Sequence, residues 1–452
     1  MNLIVKYAHT ISRLAAQLKE TDVIPSELYD VYDVKRGLRD KNGKGVLCGL
    51  TEVSEVTSWD MIDGVRTPIH GILRYRGYDV KDLIANCQRE NRFGFEETAY
   101  LLLFGNLPNA DELSNFNNML ADFRTLPRNF VRDVIMKQPC KDMMNMLARC
   151  VLNLYSYDPD PDNVALSNVL RQSLQLIAEF PMIAVYSHRV YKYYNTNDGS
   201  MYIHKPVAEY STAQNILHIL RKDNAFTDLE AKVLDICLIL HADHGGGNAS
   251  TFTTHLSTST GTDTYSSVAA SLGSLKGPLH GGANLMVCQM FENIKENLPN
   301  WSKGAVYTYV EKILNKEAFD RTGLIYGMGH AIYTLSDPRM VVLKEYAGKL
   351  AIEKGREKEF ELYNTVAEAA GKLIAEKRHL NKPITPNVDF YSGFVYSMLN
   401  LPESLYTPLF AIARIAGWSA HRIEELTNGG KIIRPAYQCV QPARDYVPLN
   451  KR

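Results

Sequence analysis

No stretch of this chain approaches the ~18 consecutive apolar residues that a membrane-crossing helix needs, so no membrane partner is expected. Net charge is missing too: 50 Lys plus Arg balance 50 Asp plus Glu, leaving no global field to draw nucleic acid. Local positive charge therefore has to be weighed residue by residue. Cysteine is sparse, with seven scattered residues and no Cys-x-x-Cys pair, and an odd number argues against a disulfide framework. A reducing, cytoplasmic setting is expected. Internal repeats and low-complexity tracts are absent as well. What remains is a chain of 452 residues, long enough for a large core and two or three domains.

Most of it reads as helix. Leu229 to His241 is apolar nearly all round, as a buried helix would be. Tyr346 to Lys377, rich in Ala, Glu, Lys and Leu, reads as amphipathic and partly exposed. Gln175 to Tyr191 is helical, with Pro181 expected to kink it or divide it in two. Strand signals are confined to Val46–Val53 and Thr67–Tyr75, where β-branched and aromatic residues gather. Asp158 to Asp162 and Asn195 to Ser200 read as polar loops. Residues 1–20 hold Lys6, Arg13 and Lys19 with no acid before Glu20, a pattern shared with organelle transit peptides. Leu3, Tyr7, Ile11, Leu14 and Leu18 instead follow helical spacing, and an ordinary surface helix is the reading adopted.

The chemistry is concentrated in three short segments, each placing one titratable side chain among helix-breaking residues. They are Gly277-Pro-Leu-His280-Gly-Gly-Ala-Asn284, Gly327-Met-Gly-His330 and Pro386-Asn-Val-Asp389-Phe-Tyr-Ser-Gly393. Gly and Pro break regular structure and let backbone approach a ligand. Two imidazoles and a carboxylate on such loops are suited to drawing a proton from carbon. The carboxylate takes the proton while a neutral histidine hydrogen-bonds the oxygen that gains negative charge.

A fourth segment, His241-Ala-Asp243-His244-Gly-Gly-Gly-Asn248, ends the buried helix and leaves His244 beside a flexible turn. Two His at this spacing with an Asp between them are also possible metal ligands, which makes a metal-dependent hydrolase a competing class. Only His255 lies nearby as a further ligand, so no metal is assigned. His241 stays open as a purely structural residue. Of the arginines, Arg339 follows His330 by nine residues, and Arg434 precedes Pro435. Arg414 sits among Ile412, Ile415 and Trp418, where a buried cation needs an anionic partner. That partner is either a structural acid or a substrate carboxylate held bidentately.

Together these segments resemble the citrate synthase family. Gly71-Ile-Leu-Arg-Tyr-Arg-Gly-Tyr-Asp79 and Glu97-Thr-Ala-Tyr-Leu-Leu-Leu-Phe-Gly-Asn-Leu-Pro108 resemble the family's amino-terminal signatures, and matches run in family order from about Val34 to Pro435. The resemblance implies a mainly α, two-domain fold with a minor β element near the amino terminus, assembled as a homodimer. Residues 1–284 and 391–452 would form a large domain, and residues 285–390 a small one that closes over substrate. Asp389 would take a methyl proton from acetyl-CoA, His280 would bond the thioester oxygen, and His330 would polarise the ketone of oxaloacetate. His244, Arg339 and Arg414 would grip the carboxyl groups of oxaloacetate, with Arg434 reaching the partner subunit's site. Acetyl-CoA would be a co-substrate, and no metal or resident cofactor is implied. A carboxylate of reference pKa ~4 is a weak base for a carbon acid, so a neutral His280 near a helix amino terminus is expected to help.

Two positions depart from the family pattern. Thr334 stands where the family often has a Lys or Arg for CoA phosphate, and Gly245 stands where many members have an acid. Arg39, in Lys35-Arg-Gly-Leu-Arg39, resembles another CoA-contacting arginine. The alternative within the family is 2-methylcitrate synthase, which uses propionyl-CoA. A non-catalytic helical scaffold is the alternative outside enzymes.

Overall fold

A computed structural model describes residues 3–21, 23–40, 44–196, 200–380 and 384–452. The chain divides into two compact units, Met1–Leu50 and Thr51–Arg452. The first carries the helix Leu3–Thr21, a short helix Ser26–Val31 and a 3₁₀ turn Arg36–Leu38. The stripe expected on its first helix is present, with Tyr7, Ile11, Leu14 and Leu18 on the exterior; the side chain of Leu3 lies outside the described residues.

The second unit opens with a three-stranded antiparallel sheet, β1 (Ser54–Ile62), β2 (Val65–Tyr75) and β3 (Tyr78–Asp79). The expected strand at Thr67–Tyr75 is there, but Val46–Val53 is not a strand. Leu47 and Leu50 are exposed, so alternation has no face to bury there, whereas Ser54 to Thr57 pair with Tyr75 to Ile72. The sheet is pinned to the helical core by Tyr75, whose hydroxyl donates to the carbonyls of Ile239 (2.9 Å) and Asp243 (3.2 Å).

Helices make up the rest. Asp228–His241 starts at a capping box, Thr227 with Glu230, and is buried through its last three turns, as its apolar sequence requires. Leu166–Asn195 runs as one helix through Pro181, so of the expected kink or division the division does not occur. Proline removes a single N–H, and the helix keeps its packing against the helix Tyr406–Thr427. The stretch Tyr346–Lys377 is two helices, Pro338–Glu353 and Glu357–Lys377, separated where Gly355 adopts φ 62°. That left-handed residue ends the first helix more firmly than the flanking helix formers can continue it. Asp158–Asp162 is a loop as expected; of Asn195–Ser200, residues 197–199 lie outside the described residues. Tyr406–Thr427 is buried along most of its length and packs on six other helices, among them Asp228–His241 and Ala249–Thr258. It is the element on which the candidate site is built. No described helix is long and apolar enough to cross a membrane.

Candidate active site

Three of the breaker-flanked segments meet at the ends of these helices. His241 closes the helix Asp228–His241, and the chain then turns through Asp243 and His244. The Asp243 carboxylate secures that turn by accepting from Gly245 N (2.8 Å) and from the Ser54 hydroxyl. His244 is thereby held in the interior, its Nε2 3.2 Å from the Tyr333 hydroxyl and its ring centroid 5.2 Å from that of His330. Burial, then Arg339, His330 and Arg414, hold its pKa well below the ordinary histidine value, so His244 is neutral.

His330 is oriented by backbone. Its Nδ1 accepts from the N–H groups of Ile332 (3.0 Å) and Tyr333 (3.2 Å). In the neutral ring the proton must then sit on Nε2, which makes that nitrogen a donor. The Tyr333 ring stacks on the imidazole at 4.7 Å. The loop bearing His330 is zipped to the segment bearing Asp389. Asn387 N donates to Gly327 O (2.8 Å), Gly329 N to Thr385 O (2.8 Å) and Asn387 Nδ2 to Gly329 O (2.8 Å). Asn387 also caps the helix Val388–Met398 by accepting from Asp389 N (3.0 Å), which sets Asp389 in the first turn.

Asp389 is partly buried, and burial pushes its carboxyl up to about 6, against the pull of Arg339 and Arg414 and with Asp337 adding to the rise. That is high enough to accept a proton and low enough to be ionised at neutral pH. His280 is lowered to about 4, first by burial and then by Arg414. Its Nε2 lies 3.1 Å from both Asn248 Oδ1 and Ser250 Oγ. It stands three residues before the helix Ala283–Asn297, so the expected helix amino terminus is adjacent, although burial is the larger cause of its neutrality.

The arginines separate into three cases. Arg339 is buried and already paired, its guanidinium forking onto Asp337 at 3.1 and 2.8 Å. Arg414 is fully buried and lies over the Phe410 ring at 4.7 Å, and its Nε donates to His241 O (2.8 Å) while neither terminal nitrogen has a hydrogen-bond partner. Burial lowers its pKa to about 10, which still leaves it charged, and a buried cation with an open edge is a ready anion-binding group. Arg434 is exposed on the extended carboxy-terminal segment and is not brought to these side chains within its own chain. Arg39 belongs to the unit Met1–Leu50, where it forms a β-bridge with Gly45.

His241 is structural. It packs edge-on against Phe410 at 4.5 Å, and burial lowers it to about 3. The set His241, His244 and His255 does not converge. His255 instead pairs with His421 and Glu425. Sequence reasoning passed over Tyr333, Asn248 and Ser250. Tyr333 could have been found by its position three residues after His330; the other two follow the glycines of the His244 turn.

A cavity of about 960 Å³ adjoins the cluster, lined by His330, Tyr333 and Thr334 and by the cationic Lys316, Lys377 and Arg378. It is large enough for a drug-sized ligand.

The chain matches the family described as citrate synthase, C-terminal domain, over residues 41–436. It is 34% identical over 389 residues to citrate synthase of Corynebacterium glutamicum, with 84% of each chain covered. It is also 34% identical over 386 residues to 2-methylcitrate synthase of Shewanella oneidensis, covering 84% of this chain and 92% of that one. Among solved structures it resembles citrate synthase of Thermoplasma acidophilum in a ternary complex with carboxymethyl coenzyme A and oxaloacetate. There the TM-score is 0.75 at 29% identity, covering 93% of this chain and 99% of that one. A chain matched over so much of its length belongs to the citrate synthase family and is an acyltransferase of the condensing type.

Proposed function

We propose that this enzyme condenses acetyl-CoA with oxaloacetate and hydrolyses the resulting citryl thioester to citrate and CoA. The observation that carries this reading is Arg414. Its two buried, unpartnered guanidinium nitrogens fit a carboxylate bidentately, beside His244, His330 and Arg339. An oxaloacetate carboxylate held there would present its ketone to His330 Nε2–H, which hydrogen-bonds the oxygen as negative charge develops. Asp389 removes the methyl proton of the thioester. His280, whose Nε2 is held by Asn248 and Ser250, would hydrogen-bond the thioester oxygen as the enolate or enol forms. The new carbon–carbon bond forms between the enolic carbon and the ketone carbon, and water then cleaves the thioester. The cavity beside His330 suits CoA, where Lys316, Lys377 and Arg378 supply positive charge that Thr334 lacks. We assign Arg39 a further CoA contact on the strength of its short motif alone. The subunits act as a dimer, with Arg434 serving the partner's site and residues 285–390 closing over substrate.

Relatives of either specificity match equally well, so the acyl group is the step to test. Acetyl-CoA and propionyl-CoA differ by one methylene beside Asp389 and His280, worth about 1–3 kcal/mol or roughly 10–200-fold in kcat/KM. We expect acetyl-CoA to be preferred, with some propionyl-CoA turnover. The check is kcat/KM for both thioesters at saturating oxaloacetate. A value for propionyl-CoA equal to or above that for acetyl-CoA would make the enzyme a 2-methylcitrate synthase with the same machinery.

A further inference from the structure

Behind the His244 turn lies a second cluster that the condensation does not use. His255 comes from the helix Ala249–Thr258, and His421 and Glu424 come from the helix Tyr406–Thr427. His255 Nε2 and His421 Nδ1 face each other at 3.1 Å, and Glu424 Oε2 lies 3.7 Å from the same His421 nitrogen. The three atoms fall within 4.8 Å of one another. We propose that His255 Nε2, His421 Nδ1 and Glu424 Oε2 bind a divalent cation of the zinc class, at a structural site separate from the condensation chemistry.

The outer contacts point the same way. Each imidazole turns one nitrogen to the common centre and the other to a carboxylate: His255 Nδ1 is 2.8 Å from Glu425 Oε2, and His421 Nε2 is 3.3 Å from Asp243 Oδ1. Such carboxylates orient a metal-binding histidine and make its free nitrogen more basic. Glu424 is oriented too. Glu52 N donates to its Oε1 (2.7 Å), which leaves Oε2 buried, without a hydrogen-bond partner, on the side of the histidines. Two nitrogens each about 2.0–2.1 Å from a tetrahedral zinc stand a little over 3 Å apart, close to the spacing found here.

Charge and space also favour a cation. Three carboxylates, Asp243, Glu424 and Glu425, surround the two imidazoles, and among the described residues their only ion-pair partners are these histidines. One shared proton leaves that group with a net charge of about −2; a divalent ion between neutral rings leaves it nearer −1. Space in front of the nitrogens is kept open by Gly246. A Cβ there would stand 3.5 Å from His255 Nε2 and 3.7 Å from His421 Cε1, in contact with both rings. Imidazole and carboxylate ligands in this number suit zinc better than calcium or magnesium.

The ion would fasten the helix Ala249–Thr258 to the helix Tyr406–Thr427, and through Asp243 steady the turn that holds His244. The test uses the purified full-length enzyme, stripped with a chelator and dialysed against zinc chloride. Metal content by mass spectrometry and zinc affinity by calorimetry are compared in the wild type, His255→Ala and Glu425→Gln, with folding checked by circular dichroism. We expect one equivalent of zinc and a melting temperature that rises with zinc. Binding should be lost in His255→Ala, and affinity should fall on the order of 10–100-fold in Glu425→Gln, which removes only an outer carboxylate. No stoichiometric zinc in the wild type, or equal binding in a folded His255→Ala, overturns the site and leaves two histidines sharing a proton. Neither readout depends on which acyl-CoA the enzyme takes.

Discussion

Asp389 can act as a base only while ionised, and burial has brought its carboxyl to about 6, far closer to neutrality than an ordinary aspartate. Protonation therefore removes the base within a physiologically accessible range. As pH falls through about 6, kcat/KM for the acyl-CoA should drop, reaching about a tenfold loss per pH unit below it. Asp389→Asn should lower kcat on the order of 10²–10⁴-fold while changing oxaloacetate binding far less, because the amide is nearly isosteric. Near-full turnover in a folded Asp389→Asn enzyme would end the assignment. Arg414 makes a different demand. Its charge is buried with two nitrogens unpaired, a strained arrangement for the empty protein. Arg414→Met should weaken oxaloacetate binding on the order of 10²-fold, yet leave the melting temperature of the unliganded enzyme equal or higher. Melts with and without oxaloacetate separate the two effects: the ligand should stabilise the wild type and not the variant. Arg414 was conspicuous in sequence as a cation among apolar residues, but nothing in its neighbours distinguished a structural acid from an open edge.

Elements matter because the side chains proposed for catalysis sit where helices begin or end. The helix Val388–Met398 begins at Asn387, and the same side chain that caps it also holds Gly329, next to His330. Asn387→Ala should cost about 1 kcal/mol of stability through the lost cap. The larger effect should fall on kcat, because both Asp389 and His330 lose their common anchor. Denaturant unfolding and steady-state kinetics measure the two; an Asn387→Ala enzyme with reduced stability and unchanged kcat would reduce the residue to a cap. This joint role was half legible. Asn before a helical run is a recognisable cap signal, whereas its bond to a loop 58 residues away is not. The strand expected at Val46–Val53 failed for a related reason: propensity marked the residue types, but the partner strand selected Ser54 onward.

At the scale of the whole molecule, the exposed position of Arg434 decides an experiment. If it serves the partner's site, mixing inactive Arg434→Ala subunits with inactive His330→Ala subunits should restore activity. In a mixed dimer one site carries both defects and the other neither. Half the dimers are mixed at equilibrium, so recovery should approach roughly a quarter of wild-type activity. No recovery despite proven subunit exchange would place Arg434 outside the partner's site.

Sequence alone determined what depends on neighbours along the chain. Helical periodicity, the capping of Asp228–His241, and the placing of His280, His330 and Asp389 among helix breakers are local properties, set by residues within a turn or two. The tertiary structure decided what depends on burial and on distant partners. It placed Tyr333 against both His244 and His330, left one edge of Arg414 open, and brought His255 to His421 across 166 residues. Local preferences leave such meetings undetermined, because only closing the chain around a common core fixes which distant side chains lose water together, and that loss sets both their pKa values and their need for a partner.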